Sequence, residues 1–231
     1  METKDIITAI IAFLSLMISS VTAFSLINQR KADRASARSD RFMKAIEHLK
    51  DESLPIRMGA IYELQRLGLE TLKDQECIVR ILSRYVKERI EEPKYLHQSK
   101  LDISKHRPGA DVTLACNVVT SFRTVPANRL QLNYLKASNI DFGVFNLENA
   151  KMPKAQLNGG IFEEANLTGV DLREADLSGA NLIAAIGLTV EQLLEAFIDE
   201  TTQLDEHLAN DPRIIARIAE RKAAEQDDAP A

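Results

Sequence analysis

A five-residue repeat between residues 130 and 184 constrains this chain more than any other feature. In eleven consecutive units, two positions separated by one residue are apolar or glycine, and the other three are mostly polar. A step of five residues rotates an α-helix by about 140°, which would spread the apolar positions around every face. A spacing of two followed by three instead fits short extended segments that alternate with turns. The pattern therefore predicts a solenoid whose interior holds the two apolar positions.

The predicted interior is most regular from Ala150 onward, where a large apolar side chain alternates with a small one. The large members are Met152, Leu157, Phe162, Leu167, Leu172, Leu177 and Leu182. The small members are Ala150, Ala155, Ala165, Ala175 and Ala180. In the four preceding units, larger residues stand at the small position: Leu130, Leu135, Ile140 and Phe145. These larger residues either fill a wider first coil or cap the stack against a neighbouring module.

An Asn or Asp often separates the two apolar positions, where its short side chain can bond the local backbone in a turn. Such residues are Asn146, Asn166, Asp171, Asp176 and Asn181. The stretch EANLTGVDLREADLSGANL follows the pattern A(D/N)LXX nearly throughout, and here the chain resembles the pentapeptide-repeat family. The resemblance implies a right-handed quadrilateral β-helix with four pentapeptides in each coil. Eleven units would make fewer than three coils, about 13 Å high at a layer spacing of ~4.8 Å.

A run of 22 uncharged residues, from Ile6 to Ile27, lies near the start of the chain. As a helix it would extend ~33 Å, enough to cross a hydrocarbon core of ~30 Å, so we predict a retained single-pass transmembrane helix. A cleaved signal peptide is the alternative, but the preceding residues METKD lack a net positive charge. Basic residues follow the run, so the positive-inside rule places the N-terminus outside and the rest of the chain in the cytoplasm.

Small residues recur every four positions on one face of this predicted helix, at Ser15, Ser19 and Ala23. This spacing lets two transmembrane helices approach closely, so these residues are candidates for transmembrane oligomerisation. The order of one membrane span, a helical segment and a repeat resembles that of membrane-anchored bacterial pentapeptide-repeat proteins. The resemblance implies a location in the bacterial inner membrane.

Helical periodicity fills much of the segment between the predicted span and the repeat. The four predicted helices have these landmarks: an end near Lys50, an N-cap at Ser53 with an end at Gly68, a start at Asp74, and the range 111–122. Residues 91–108 contain two prolines and are typical of a loop. After the repeat, Thr189 can cap a short helix that reaches Phe197 and covers the last coil.

The net charge of −5 conceals a basic segment, because residues 29–107 carry a net charge of +5. A nucleic-acid surface is one interpretation, but aromatic residues are not interleaved with the basic ones, which disfavours single-strand binding. Positive-inside bias and attraction to anionic headgroups account for the same charge, and they make membrane lipid an expected partner. We therefore expect nucleic acid not to be a partner.

The chain contains no sequence motif for a metal site, a phosphate-binding loop or a nucleophilic hydrolase. Its four histidines are scattered, and no cysteine or carboxylate stands at metal-ligand spacing from them. Two cysteines are too few for a disulfide framework, and both Cys77 and Cys116 fit buried helical positions. We therefore expect no enzyme, no catalytic residues, no metal and no cofactor.

The predicted architecture is of the α+β class, with one transmembrane helix, a helical module, a β-helix and a C-terminal helical cap. The four parts cover residues 1–29, 30–125, 126–186 and 187–231; the first includes a short N-terminal tail and the last an acidic tail. The predicted function is a membrane-anchored, non-enzymatic scaffold or assembly module that binds an unknown cytoplasmic protein or further copies of itself. The resemblance also implies an alternative, a DNA mimic that regulates a type II topoisomerase or another nucleic-acid enzyme. The repeat carries a net charge of only −3, which favours the scaffold.

Overall fold

The computed structural model describes the backbone of residues 3–92, 107–122 and 129–227, and the side chains of residues 14–92, 107–122 and 129–223. The helices in these ranges are α1 (Thr3–His48), α2 (Leu54–Glu70), α3 (Leu72–Ile90), α4 (Ala110–Ser121), α5 (Val190–Glu195), α6 (Glu206–Ala209) and α7 (Pro212–Asp227). Most of the predicted loop, residues 93–106, lies outside the described residues.

The helical module consists of the C-terminal end of α1 together with α2, α3 and α4. Helix α2 packs against the other three, and α3 also packs against α4. Ile61, Leu64 and Leu67 on α2 are buried, as their spacing predicts, whereas Ile56 from the same predicted face is 40% exposed. The apolar core of this module therefore begins about one turn inside α2.

Two predicted helix boundaries are wrong. Gly68 does not end α2, which continues to Glu70. Gly68 serves packing instead, since a Cβ on it would lie 2.5 Å from Cζ of Phe122. Helix α3 begins at Leu72 after the N-cap residue Thr71, two residues before the predicted start at Asp74.

The apolar run at the start of α1 does not form the predicted transmembrane span. Within the described residues, no helix combines the length and the apolar character needed to cross a membrane. The described side chains of this run are those from Leu14 to Ile27. Five hydroxyl side chains interrupt this run, and α1 continues into charged residues up to His48. The predictions of a membrane anchor, an inner-membrane location and a membrane orientation are therefore wrong.

Residues 130–186 form a four-sided structure, which we call the repeat coil. Parallel bridges join residues that are 20 positions apart, such as Gln131 to Lys151 and Lys151 to Asp171. The amide of Leu132 donates to the carbonyl of Lys151 at 2.8 Å, and the amide of Lys151 donates to the carbonyl of Leu130 at 2.8 Å. Each layer of the coil therefore contains four five-residue units.

The predicted α+β class and its β-helix are wrong, because the described residues contain helices but no β-strand and no sheet. The layers are joined only by isolated bridges, each one residue long. A strand needs consecutive bridging residues, and here a turn follows every bridging residue within the same unit. The five-residue period thus produces corners too often for a strand to form.

The corners depend on one left-handed residue in every unit. From Tyr134 to Ala184, every fifth residue has a positive φ between 57° and 66°. In most units the amide after this residue donates to a carbonyl three residues back, as from Ala150 to Leu147 at 2.8 Å. A bond of this span with a positive φ at the third residue is typical of a type II turn.

Short polar side chains brace these corners, as the sequence predicts. The residue between the two inward positions accepts a hydrogen bond from the amide two residues later. Such acceptors are Asn146, Asn166, Asp171, Asp176 and Asn181, with distances of 3.1 to 3.3 Å. Asp141 makes the same bond to the amide of Gly143 at 2.7 Å.

Apolar side chains fill the interior of the repeat coil. All twelve residues predicted to lie inside it from Ala150 to Leu182 are at most 1% exposed. In the first layers the large residues form an aromatic cluster, with Phe142 stacked on Phe162 at 4.9 Å and edge-on to Phe145 at 5.8 Å. Gly160 makes room for it, since a Cβ there would approach a ring carbon of Phe162 to 3.0 Å. The larger side chains are therefore accommodated inside a regular first coil.

The helical module covers the first layer of the coil through polar contacts. Ser83 Oγ accepts from the amide of Gln131 at 3.0 Å, and Lys87 Nζ donates to the carbonyl of Asn133 at 2.7 Å. Arg107 donates to the carbonyl of Gly143 at 2.6 Å. These side chains satisfy backbone groups that no further coil layer pairs.

The segment after the coil covers the last layer in the same way. Thr189 caps α5 in a capping box with Gln192, as its position predicts, but the helix ends at Glu195 rather than reaching Phe197. Gln192 Nε2 donates to the carbonyls of Leu167 and Val170, both at 2.9 Å. Both ends of the coil are therefore covered by this chain itself.

We predict that Gly159→Ala lowers the free energy of unfolding by about 2 kcal/mol, because an alanine is strained at φ +66° and its Cβ would lie 2.3 Å from Oδ1 of Asn139. Urea unfolding followed by circular dichroism measures the change. The double variant Asn139→Gly/Gly159→Ala removes the clash and should recover part of the loss. Equal losses in the single and double variants would show that the contact has no role.

Candidate functional site

The outward side chains of the repeat coil are divided by charge with a period of 20 residues. The ranges 140–149, 160–169 and 180–189 contain no lysine or arginine. The bridges stack these ranges directly on one another, so they form two adjacent sides of the four-sided coil. We call these two sides together the acidic side. Its carboxylates within the coil are Asp141, Glu148, Glu163 and Glu164.

Aliphatic side chains stand among the carboxylates of the acidic side. Val144 is 53% exposed, Ile183 is 42% exposed and Ile186 is 55% exposed. Glu163 and Glu164 lie in the layer between Val144 and Ile183, and both are exposed. This combination of unburied aliphatic groups and one sign of charge is typical of a surface that contacts another protein.

The opposite two sides of the coil carry all of its basic residues. These are Lys136, Lys151, Lys154 and Arg173. Arg173 pairs with Asp171 at 2.7 Å, and Lys154 pairs with Glu174 at 3.4 Å. The charges on these sides therefore offset one another locally. On the acidic side Arg107 pairs with Asp141 at 4.0 Å, which leaves Glu148, Glu163 and Glu164 as its unbalanced carboxylates among the described residues.

A polar groove of about 570 Å³ follows one corner of the coil, where Gly159 and Gly179 leave room. Its acidic members already serve the fold. Asp176 accepts from the hydroxyl of Ser178 at 2.6 Å, and Asp199 accepts from the amides of Gly179 and Thr201 at 3.2 and 2.9 Å. These partners keep the pKa of Asp199 below its usual value although burial raises it. The groove is thus a consequence of the small corner residues.

A second cavity, of about 480 Å³, lies in the helical module between α1 and α3. Ile46, Leu49 and Ile81 form its apolar wall, and Arg57 and Tyr85 lie at its polar end. Beside it is a buried polar cluster centred on Asp111, which is completely buried. Arg57 Nε donates to Asp111 Oδ2 at 2.6 Å, and the hydroxyl of Tyr85 donates to the same oxygen.

The buried cluster links all parts of the helical module. Arg57 on α2 also donates to the carbonyls of Asp51 and Glu52, at 2.9 and 2.7 Å, in the connection after α1. Burial raises the pKa of Asp111, but hydrogen bonds from Tyr85 and Arg57 outweigh this effect and hold it below the usual value. Burial and the bond to Asp111 raise the pKa of Tyr85. The cluster is therefore a structural contact in which Arg57 and Tyr85 both hold Oδ2 of Asp111.

The predicted site residues lie in different surroundings. Ser15, Ser19 and Ala23 are exposed on α1. The predicted repeat-interior residues are buried, so they shape the coil but cannot touch a partner. Cys116 is buried in α4, where burial raises the pKa of its thiol to about 12, whereas Cys77 is exposed and the prediction that it is buried is wrong.

Among the residues that the structure describes, no group of three metal-ligating side chains comes together. Two of the four histidines, His97 and His106, lie outside the described residues. Among the described residues, the outward surface of the coil is therefore the remaining candidate for a functional site.

Comparison with known proteins identifies this surface's scaffold. Residues 150–186 match the family model described as pentapeptide repeats, in eight copies. This segment consists of pentapeptide repeats. No curated protein shows significant similarity to the chain. The structure extends the pentapeptide repeats beyond the matched range, since the bridges begin at Gln131.

The acidic side was missed by reasoning from the five-residue period alone. Within one pentapeptide the outward positions have no consistent charge, because successive units face different sides of the coil. The signal is present in the sequence at a period of 20 residues, in the absence of basic residues from alternate blocks of ten. Four units per coil convert that pattern into one continuous surface.

We predict that Asp111→Asn lowers the free energy of unfolding by about 3 kcal/mol at pH 7, because it leaves the Arg57 guanidinium buried without its counter-charge. The low pKa of Asp111 means that its contribution is present above the pKa of an unfolded aspartate, about 3.9, and is lost as the pH falls through the folded value. Urea unfolding at pH 7 and at acid pH measures both effects.

The matched control is Asp176→Asn, since the asparagine keeps the acceptor for the turn and Asn181 fills the same position naturally. We expect it to change the free energy of unfolding by less than about 0.5 kcal/mol. If Asp111→Asn is as mild as this control, the buried pair does not stabilise the module.

Proposed function

We propose that this protein is a non-enzymatic protein–protein interaction module and that the acidic side of its pentapeptide repeats is the docking surface. The main support is that lysine and arginine are absent from alternate ten-residue blocks of the coil. As a result, exposed aliphatic side chains and unbalanced carboxylates lie on the same two sides. The pentapeptide-repeat match is consistent with a binding role.

The other surfaces of the coil are already occupied by this chain, which supports the proposal that its sides bind a partner. The interior is filled by apolar side chains, and both ends are covered by other segments of the chain. The sides of the coil are what these contacts leave accessible. A rigid stack with regular outward positions can present a fixed array of side chains to a partner.

The chemistry of the acidic side defines the kind of partner. Carboxylates steer a basic partner during encounter, and the aliphatic side chains supply contact area that excludes water. A partner segment with aliphatic and basic residues on one face fits both features.

We predict that a photoreactive phenylalanine analogue in place of Ile183 forms covalent adducts with a partner protein in cells. The same analogue in place of Arg173 is the matched control, because Arg173 occupies the equivalent exposed position of a pentapeptide on the opposite sides. Gel analysis and mass spectrometry should show several-fold more adduct at residue 183. Charge reversal by Glu163→Lys/Glu164→Lys should reduce this adduct by roughly tenfold. Equal adducts at both positions would contradict the proposal.

Nucleic-acid mimicry is a second candidate, supported by the same concentration of carboxylates on one side. The aliphatic residues between the carboxylates favour a protein partner over an imitation of a phosphate backbone, which presents charge continuously. A supercoiling assay with a type II topoisomerase and the full chain separates the two. Inhibition at near-equal concentrations, abolished by Glu163→Lys/Glu164→Lys, would favour the mimic.

A further inference from the structure

One face of α1 changes from buried to exposed along the helix. Near its C-terminal end this face carries Phe42 and Ala45, and Leu49 follows directly after the helix. All three pack into the helical module, where Ala45 and Leu49 are 2% and 7% exposed. Arg38 on the same face pairs with Asp74 at 2.6 Å. This face of α1 is therefore buried where the helical module packs against the C-terminal part of the helix.

The same face continues beyond the module without a cover in the described part of the chain. At 100° per residue, the exposed residues within an arc of about 80° that coincides with the buried face include four between positions 24 and 34. These residues are Phe24, Ile27, Lys31 and Arg34. Phe24 is 66% exposed and Ile27 is 52% exposed. We call these four residues the free stripe.

The free stripe and the acidic side are complementary in chemistry. The stripe presents two apolar side chains followed by two basic ones, Lys31 and Arg34. The acidic side presents Ile183 and Ile186 in one layer and Glu163 and Glu164 in the layer before it. Apolar groups would thus face apolar groups while basic groups face carboxylates.

The free stripe is long enough to cross every layer of the acidic side. From Phe24 to Arg34 the helix rises about 15 Å. The backbones of the first and third layers of the coil are two spacings of ~4.8 Å apart, or about 10 Å, so the stripe is longer than the three layers. A helix laid along the coil axis, with its N-terminal end toward Ile183, therefore contacts all three layers.

We infer that the acidic side binds the free stripe of α1 from a second copy of this chain. Within one chain the stripe and the acidic side are both exposed, so the contact joins two molecules. If each copy docks its α1 on the coil of the other, the two contacts are equivalent and the assembly closes as a dimer. This inference rests on the proposed docking function and names its partner.

Cysteine crosslinking between two differently tagged full-length copies tests the contact. Ala35, beside the free stripe, is replaced by cysteine in one copy, and Val144 is replaced by cysteine in the other. Both copies carry Cys77→Ser to remove the exposed native thiol, while Cys116 is completely buried. With a short bismaleimide, we expect a product that contains both tags.

The matched control replaces Tyr134 by cysteine instead of Val144. Both residues are exposed left-handed corners in the first layer of the coil, but Tyr134 lies on the opposite sides. We expect at least roughly tenfold less crosslinked product from it, since its side of the coil lacks the acidic surface. Equal yields from positions 134 and 144 would overturn the inference.

Charge exchange provides an independent readout. Glu163→Lys/Glu164→Lys in the coil-donor copy should reduce crosslinking by roughly tenfold, and Lys31→Glu/Arg34→Glu in the other copy should restore it. Glu174→Lys, at the same pentapeptide position as Glu164 but on the opposite sides, should leave it unchanged. Failure of the exchange to restore crosslinking would overturn the inference. If the copies do not crosslink but adducts at Ile183 to another protein still depend on Glu163 and Glu164, the proposed function stands and the second copy is excluded as the partner.

Discussion

The backbone hydrogen bonds between successive layers of the coil are the interaction on which the rest of this structure depends. Each layer donates to and accepts from the next through isolated bridges, so the first and last layers each present unpaired amides and carbonyls. Ser83 and Glu91 on the helical side accept such amides, at 3.0 and 2.9 Å. Gln192 donates to two carbonyls at the other end. The flanking helices are thus required by the coil, because a short stack has a large share of its backbone at its ends.

A second consequence concerns where the chain changes from repeat to cap. The bridges continue after the matched pentapeptide repeats, from Asp176 to Phe197 and from Asn181 to Gln203. Their spacing is 21 and 22 residues instead of 20, so a partial fourth layer contains two single-residue insertions. The insertions interrupt the five-residue period of the sequence, but the backbone hydrogen bonds between layers continue through them. Asp199 reproduces the turn-bracing bond of the repeat there, accepting from the amide of Thr201 at 2.9 Å.

Local patterns in the sequence predicted the coil interior, the turn-bracing Asn and Asp residues and the capping role of Thr189, because each depends on residues only a few positions apart. The features that could not be predicted depend on distant segments. Gly68 is a helix terminator by local rules but packs against Phe122. The pairing of Arg57 with Asp111 joins residues 54 positions apart. The transmembrane prediction failed because it rested on the length of one uncharged run, and the acidic side was missed because it requires the number of units per coil.

The corners of the coil explain why its outward surface can vary while its interior cannot. A positive φ is needed once in each unit, and eight of the corner positions are filled by residues other than glycine, including Tyr134, Val144 and Glu164. At these sites the left-handed backbone costs about 1–2 kcal/mol per residue, and the residue places its side chain toward solvent. Glycine adopts this conformation without the strain, so backbone stability does not account for Val144, a β-branched residue that disfavours it. The proposed docking function accounts for it, because it uses aliphatic and acidic groups on this side of the coil, where Val144, Glu164 and Ala184 stack at one corner.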